Sequence, residues 1–180
     1  MVKKRSQLIN SPTLLEHLPN EIFISIFSHL TGVDIVLAFA NLNYRFYSLS
    51  NQYSYFFDFK SISKTKFDFI LTQQQNKQLW KSLQLSNNDD EILGQIEYFC
   101  QLYSLDDVFP QLESLSLLNI RRICKNNELL NQLLSSITNL QSLRIEPICG
   151  TLLSHFYFLQ LKRLVINSCR NLEWMKVRLL

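Results

Sequence analysis

Four short segments of this 180-residue chain share the form apolar-x-x-apolar-x-apolar, and they limit what it can fold into. They are Trp80-x-x-Leu83-x-Leu85, Leu112-x-x-Leu115-x-Leu117, Leu140-x-x-Leu143-x-Ile145 and Leu161-x-x-Leu164-x-Ile166. Their starts lie 32, 28 and 21 residues apart. Apolar residues two apart share one face of a strand, so each segment reads as a strand with a single buried face. A unit this small cannot bury that face alone. Stacked neighbours share one continuous core instead, which makes the second half of the chain a repeat array.

The intervening residues carry helical spacing. Ile92, Ile96, Phe99 and Tyr103 form a stripe after the acidic start Asp89-Asp90-Glu91, where acids suit the helix dipole. Gly94 falls within this stripe and weakens the helix by about 1 kcal/mol. Asn127 is placed to cap a helix bearing Leu129, Leu130, Leu133, Leu134 and Ile137, and a shorter aromatic helix is expected over Thr151 to Leu159. An earlier unit follows the same scheme. Tyr55, Phe57 and Phe59 alternate with Ser54, Phe56 and Asp58, and Ser63 then caps a helix carrying Phe67, Ile70 and Leu71. Five strand–helix units are therefore expected from about residue 54. A crossover helix after each strand makes the strands parallel and the crossings right-handed.

The last segment runs on to Cys169 and Leu172 and resembles a leucine-rich repeat, whose ninth position is Asn or Cys. Asn88 holds that position in the first segment, while Ile120 and Ile148 depart from it, so the ladder that satisfies turn backbone groups is expected to be incomplete. In such a strand the third, fifth and seventh positions point outward. These are Ser82, Gln84 and Ser86; Ser114, Ser116 and Leu118; Ser142, Arg144 and Glu146; and Arg163, Val165 and Asn167. Ser114, Ser116, Arg144, Glu146 and Arg163 are the candidate target-binding residues, since Arg is favoured at interface hot spots.

The front of the chain is different. Leu18-Pro19 opens a helix whose apolar residues are Ile22, Phe23, Ile26, Phe27 and Leu30. Thr31-Gly32 breaks it, a second apolar run covers Ile35 to Ala40, and Leu42 to Phe46 closes the unit. Three helices this short cannot bury all these side chains among themselves. Residues 18 to 50 resemble an F-box through Leu18, Pro19, Glu21, Ile22, Ile26, Phe27, Leu30, Asp34, Leu42 and Arg45, with Phe46 where the family usually has Trp. The resemblance implies docking to the Skp-type adaptor of a Skp–cullin–F-box ubiquitin ligase through Leu18, Pro19, Ile22, Ile26, Leu30 and Phe46. Phe23 and Phe27 lie about a quarter turn away and are expected to face inward.

Composition narrows the function classes. With 47% apolar and 18% charged residues the chain is not largely disordered. A net charge of +3 is small for a chain that wraps nucleic acid. No stretch of eighteen apolar residues predicts a membrane helix, and no secretory signal is expected, so the compartment is read as cytoplasmic and/or nuclear. Cys100, Cys124, Cys149 and Cys169 form no C-x-x-C pair, and no metal or other cofactor is expected. Three glycines are too few for a phosphate-cradling loop, and no catalytic motif is present, so no enzymatic role is expected.

The expected architecture is α/β. A basic tail over 1–14 precedes a three-helix F-box-like module over 15–50. A leucine-rich-repeat-like solenoid then occupies 51–180, with a parallel sheet and helices on one side. The expected function is substrate recognition for a Skp–cullin–F-box ligase, with an unknown target protein, no nucleic acid and no membrane. The alternative is a stand-alone interaction module in which the front helices only cap the array. Nothing in Glu173 to Leu180 resembles a cap, so an exposed apolar end or a longer array is expected there.

Overall fold

The computed structural model describes residues 14–53, 55–73, 77–87, 92, 94–103, 109–120, 137, 139–148 and 161–168. The expected helices over 127–137 and 151–159, the basic tail and the segment after 168 lie outside them, as do Asn88, Cys124, Cys149, Cys169 and the acidic run 89–91. The chain is an α/β protein in which helices precede a parallel five-stranded sheet.

A 3-10 turn, Leu15–His17, leads into α1 (Asn20–Phe27), α2 (Gly32–Phe39) and α3 (Tyr44–Tyr53). Thr31 starts α2 as its cap: its hydroxyl oxygen accepts from the Asp34 backbone N–H at 3.1 Å, and the hydroxyl donates to the Asp34 carboxylate at 2.7 Å. Helix α3 runs three residues past the expected module boundary at 50.

The sheet contains β1 (Phe56–Asp58), β2 (Ser82–Ser86), β3 (Ser114–Leu118), β4 (Ser142–Ile148) and β5 (Arg163–Ser168), in that spatial order. Phe57, Leu83, Leu115, Leu143 and Leu164 pair in one register row, as the repeated segments require. The crossover helices that are described are α4 (Lys64–Gln73) and α5 (Gln95–Leu102). Phe67, Ile70 and Leu71 of α4 and Ile96 and Phe99 of α5 join the inward strand residues in a single core. The register between β4 and β5 shifts between Ile145 and Ile148, where Pro147 offers no backbone donor.

Three local expectations are corrected. Gly94 is not inside a helix. It stands at the N-cap of α5 with φ 69°, a left-handed conformation that glycine adopts without strain, and the helix begins after it. Tyr55 lies just before β1 and is partly exposed, whereas Phe57 and Phe59 are buried. Ser86 and Leu118, expected on the outer face, are buried at the ends of their strands. In addition, the Asn87 side chain ties the end of β2 to the start of α5. Its carbonyl accepts from the Ile96 N–H at 2.9 Å, and its amide donates to Glu97 at 2.8 Å. Buried Gln95 complements it by accepting from Ser86 N–H at 2.8 Å and donating to the Phe59 carbonyl at 3.0 Å. Such pairing is what makes buried amides tolerable.

Helix α2 joins the two parts of the fold. Ile35 faces a small core with Phe23, Phe27, Phe46 and Leu49, while Val33, Val36 and Ala40 enter the core of the sheet. Gly32 lets α2 approach β1 closely. A Cβ there would lie 2.6 Å from Phe57 Cζ and 2.8 Å from its two Cε atoms. The Phe57 ring cannot retreat, because it is buried and stacked on Trp80 with centroids 3.8 Å apart. Gly32→Ala is therefore expected to destabilise the fold by about 1–3 kcal/mol, outweighing the helix propensity gained. The midpoint of urea denaturation measures this, and an unchanged or raised midpoint would contradict it.

Candidate functional site

Helix α1 has two apolar faces, and among the described residues only one is packed into a core. Phe23 and Phe27 fill the module core, with Phe23 edge-on to Phe46 at 4.8 Å. Ile22, Ile26 and Leu30 remain 46%, 37% and 37% exposed. Ile22 and Ile26 lie one turn apart on α1, and Leu30 follows in the turn after its last residue, Phe27. Leu37, Leu42 and Tyr44 add exposed apolar surface from α2 and the start of α3. The sequence reading did not include these three among the docking residues.

The structure separates the six candidate docking residues. Ile22, Ile26 and Leu30 are surface residues, and Pro19 is an exposed N-cap in extended conformation. Leu18 is half-buried against the module core. Phe46 must be corrected: it is 0% exposed and packs on Phe23 and Phe39, so it holds the module together and presents nothing to a partner. The spacing of Phe46, Leu49 and Tyr53 along α3 was the sign of an inward stripe, since all three belong to that core.

Arg45 sets the geometry of the stripe's leading end. Its guanidinium donates to the carbonyls of Glu16 and Leu18 at 2.6 and 2.5 Å, and to Asn20 Oδ1 at 2.8 and 2.6 Å. It also lies 5.4 Å from the Phe23 ring centroid, within cation–π range. One planar fork thus ties the 3-10 turn, the start of α1 and the start of α3 together.

The second candidate surface is the outer face of the sheet. Ser114 and Ser116 are half-buried in the strand floor, and Arg163 is exposed. Arg144 and Glu146 are both on this face but are bonded to each other, Nε to Oε1, at 2.9 Å. An exposed pair of this kind is worth about 0–1 kcal/mol and separates readily for a better partner. Sequence reasoning missed Phe56, which is 41% exposed on the same face; its alternation with inward Phe57 was the available signal. An open cleft of about 450 Å³ also lies where α2 meets β1, lined by Thr31, Asp34, Leu37, Asp58, Lys60 and Lys66 among others. Both carboxylates are engaged: Asp34 accepts from Thr31, and Asp58 Oδ1 accepts from the Lys60 N–H and the Gln84 amide.

Cys100 on α5 is half-buried, and burial followed by the nearby Glu97 carboxylate pushes its thiol from the ordinary 9.0 up to about 12. The neutral thiol therefore predominates through pH 8, with roughly a thousandfold less thiolate than a solvated cysteine holds. Peptide mapping after iodoacetamide treatment at pH 8 should find Cys100 unlabelled in folded protein and labelled in urea; rapid labelling of the folded chain would contradict this.

Among the described residues no group of three or more His, Cys, Asp or Glu side chains is arranged to hold a metal ion. No described helix is long and apolar enough to cross a membrane. No protein-family model, curated protein or solved structure matches the chain.

Proposed function

We propose that this chain is a substrate receptor of a Skp–cullin–F-box ubiquitin ligase. The front helices act as an F-box that docks a Skp-type adaptor, and the leucine-rich-repeat-like array holds a target protein. The observation that carries this reading is the divided face of α1. Phe23 and Phe27 supply the module core, while Ile22, Ile26 and Leu30 stay exposed in the ordered pattern that resembles the family. Each of these side chains adds up to about 1.5–3 kcal/mol when fully buried by a partner. The chain performs no bond chemistry in this scheme. It raises the effective concentration of a bound target near the ubiquitin-carrying enzyme, within the cytoplasm and/or nucleus.

The alternative, a stand-alone module whose front helices are a structural cap, draws on one observation: Val33, Val36 and Ala40 of α2 do cover the sheet core. That capping occupies α2 and, among the described residues, leaves the stripe of α1 exposed, so it accounts for one helix only. Mixing the purified chain with a Skp-type adaptor at micromolar concentration separates the readings. Co-elution as one complex on size exclusion is expected; separate elution would reject the ligase reading.

A further inference from the structure

We propose that the outer face of the sheet takes an extended segment of polypeptide lying across the strands, with a large apolar side chain at the β1 end and a carboxylate at the β5 end. This rests on the target-binding reading above and adds the chemistry of the target.

The register supplies the argument. Phe56 pairs with Ser82, Ser82 with Ser114, Ser114 with Ser142, and Ser142 with Arg163. One row across the whole sheet therefore reads aromatic, three hydroxyls, guanidinium. Five adjacent strands give four spacings, so the row is roughly 19 Å long. An extended peptide rises about 3.3 Å per residue, and roughly six residues cover that length. The serines are small enough to let a backbone lie close, and their hydroxyls both donate and accept, which suits the N–H and C=O groups of a passing chain.

The ends of the row differ in chemistry. At β1, Phe56 and neighbouring Tyr55 are both exposed, and Lys81 Nζ lies 5.8 Å from the Tyr55 ring. This end offers exposed aromatic area, with one ammonium at its margin. At β5, Arg163 is joined by Arg144, its diagonal neighbour on β4, while Lys162, just before the strand, donates from Nζ to Gln141 Oε1 at 3.0 Å. Glu146 is the carboxylate described on β4 beside them, and it is bonded to Arg144. Two guanidinium groups against one carboxylate leave this end positive, and the planar guanidinium of exposed Arg163 matches a carboxylate in bidentate fashion.

Phage-displayed peptides selected on the full chain test the proposal. The enriched peptides are expected to carry Asp or Glu about six positions from a large apolar residue. A representative peptide, synthesised with a fluorescent label, should bind roughly tenfold more weakly to Arg163→Glu and to Phe56→Ala, the loss of one anchor each. Both variants alter exposed side chains, and unchanged circular dichroism and unchanged adaptor binding verify that they fold. Absence of enrichment, enrichment without acidic residues, or a peptide that binds the variants as tightly as the parent overturns the proposal. So does a dimer of the chain that Arg163→Glu dissociates, since the face would then belong to a second copy. Adaptor binding is read separately, so a chain that binds adaptor but selects no such peptide refutes this inference alone. A chain that selects the peptide but binds no adaptor refutes the ligase link alone.

Discussion

Ile26→Asp is expected to abolish binding to a Skp-type adaptor while leaving the fold intact. Ile26 is exposed in the free chain, so the new carboxylate stays in water and folding loses little. In the complex the same carboxylate would be buried. The lost apolar contact amounts to about 1.5–3 kcal/mol, and an unpaired charge in the interface adds several more. A total of roughly 4 kcal/mol or more weakens binding about a thousandfold, which removes it from the micromolar range. Ile22→Asp should behave alike, as it lies one turn earlier on the same stripe. The circular dichroism spectrum and urea midpoint are the controls. A correctly folded Ile26→Asp chain that still binds within about threefold of the parent would place the interface elsewhere.

Trp80→Ala has the largest expected effect on stability. Trp80 is buried two residues before β2, stacked on Phe57 with ring centroids 3.8 Å apart and 5.1 Å from the Phe109 ring centroid. It therefore bridges the layer beneath α2 and the unit that follows. Removing a buried indole costs about 3–5 kcal/mol through lost contacts and the cavity left behind. Its Nε1–H has no hydrogen-bond partner among the described residues, so no hydrogen bond is lost with it. Against a total stability of about 5–15 kcal/mol the substitution leaves a fold close to its limit. Chemical denaturation followed by circular dichroism should show the loss, and a change below about 1 kcal/mol would mean that the aromatic stack is not what joins the units.

Much of the sheet was legible in advance because its signal is local. Leu83 and Leu85, Leu115 and Leu117, and Leu143 and Ile145 are spaced two apart, and each pair is buried as that spacing requires. The inward face of α4 was legible for the same reason. The errors fall where a distant group decides. The spacing of Phe46, Leu49 and Tyr53 marks an inward stripe but not that Phe23 meets Phe46 edge-on, and the family resemblance pointed the other way by treating Phe46 as an anchor. Gly94 was read as a weak helix residue because periodicity does not report φ. Asn87 and Gln95 were overlooked because their partners, Ile96 and Phe59 among them, lie 9 and 36 residues away in the chain. The outward stripe of α1 was visible as a surplus of apolar residues. Phe23 and Phe27 are the buried half of that surplus, on the side a quarter turn from Ile22 and Ile26.

Calorimetric titration of a Skp-type adaptor into the chain tests the central claim most directly. The account predicts saturable one-to-one binding at micromolar affinity or tighter, with a negative heat-capacity change from burial of the Ile22, Ile26 and Leu30 stripe. The absence of binding heat at several temperatures, or binding whose heat-capacity change persists undiminished in Ile26→Asp, would contradict it.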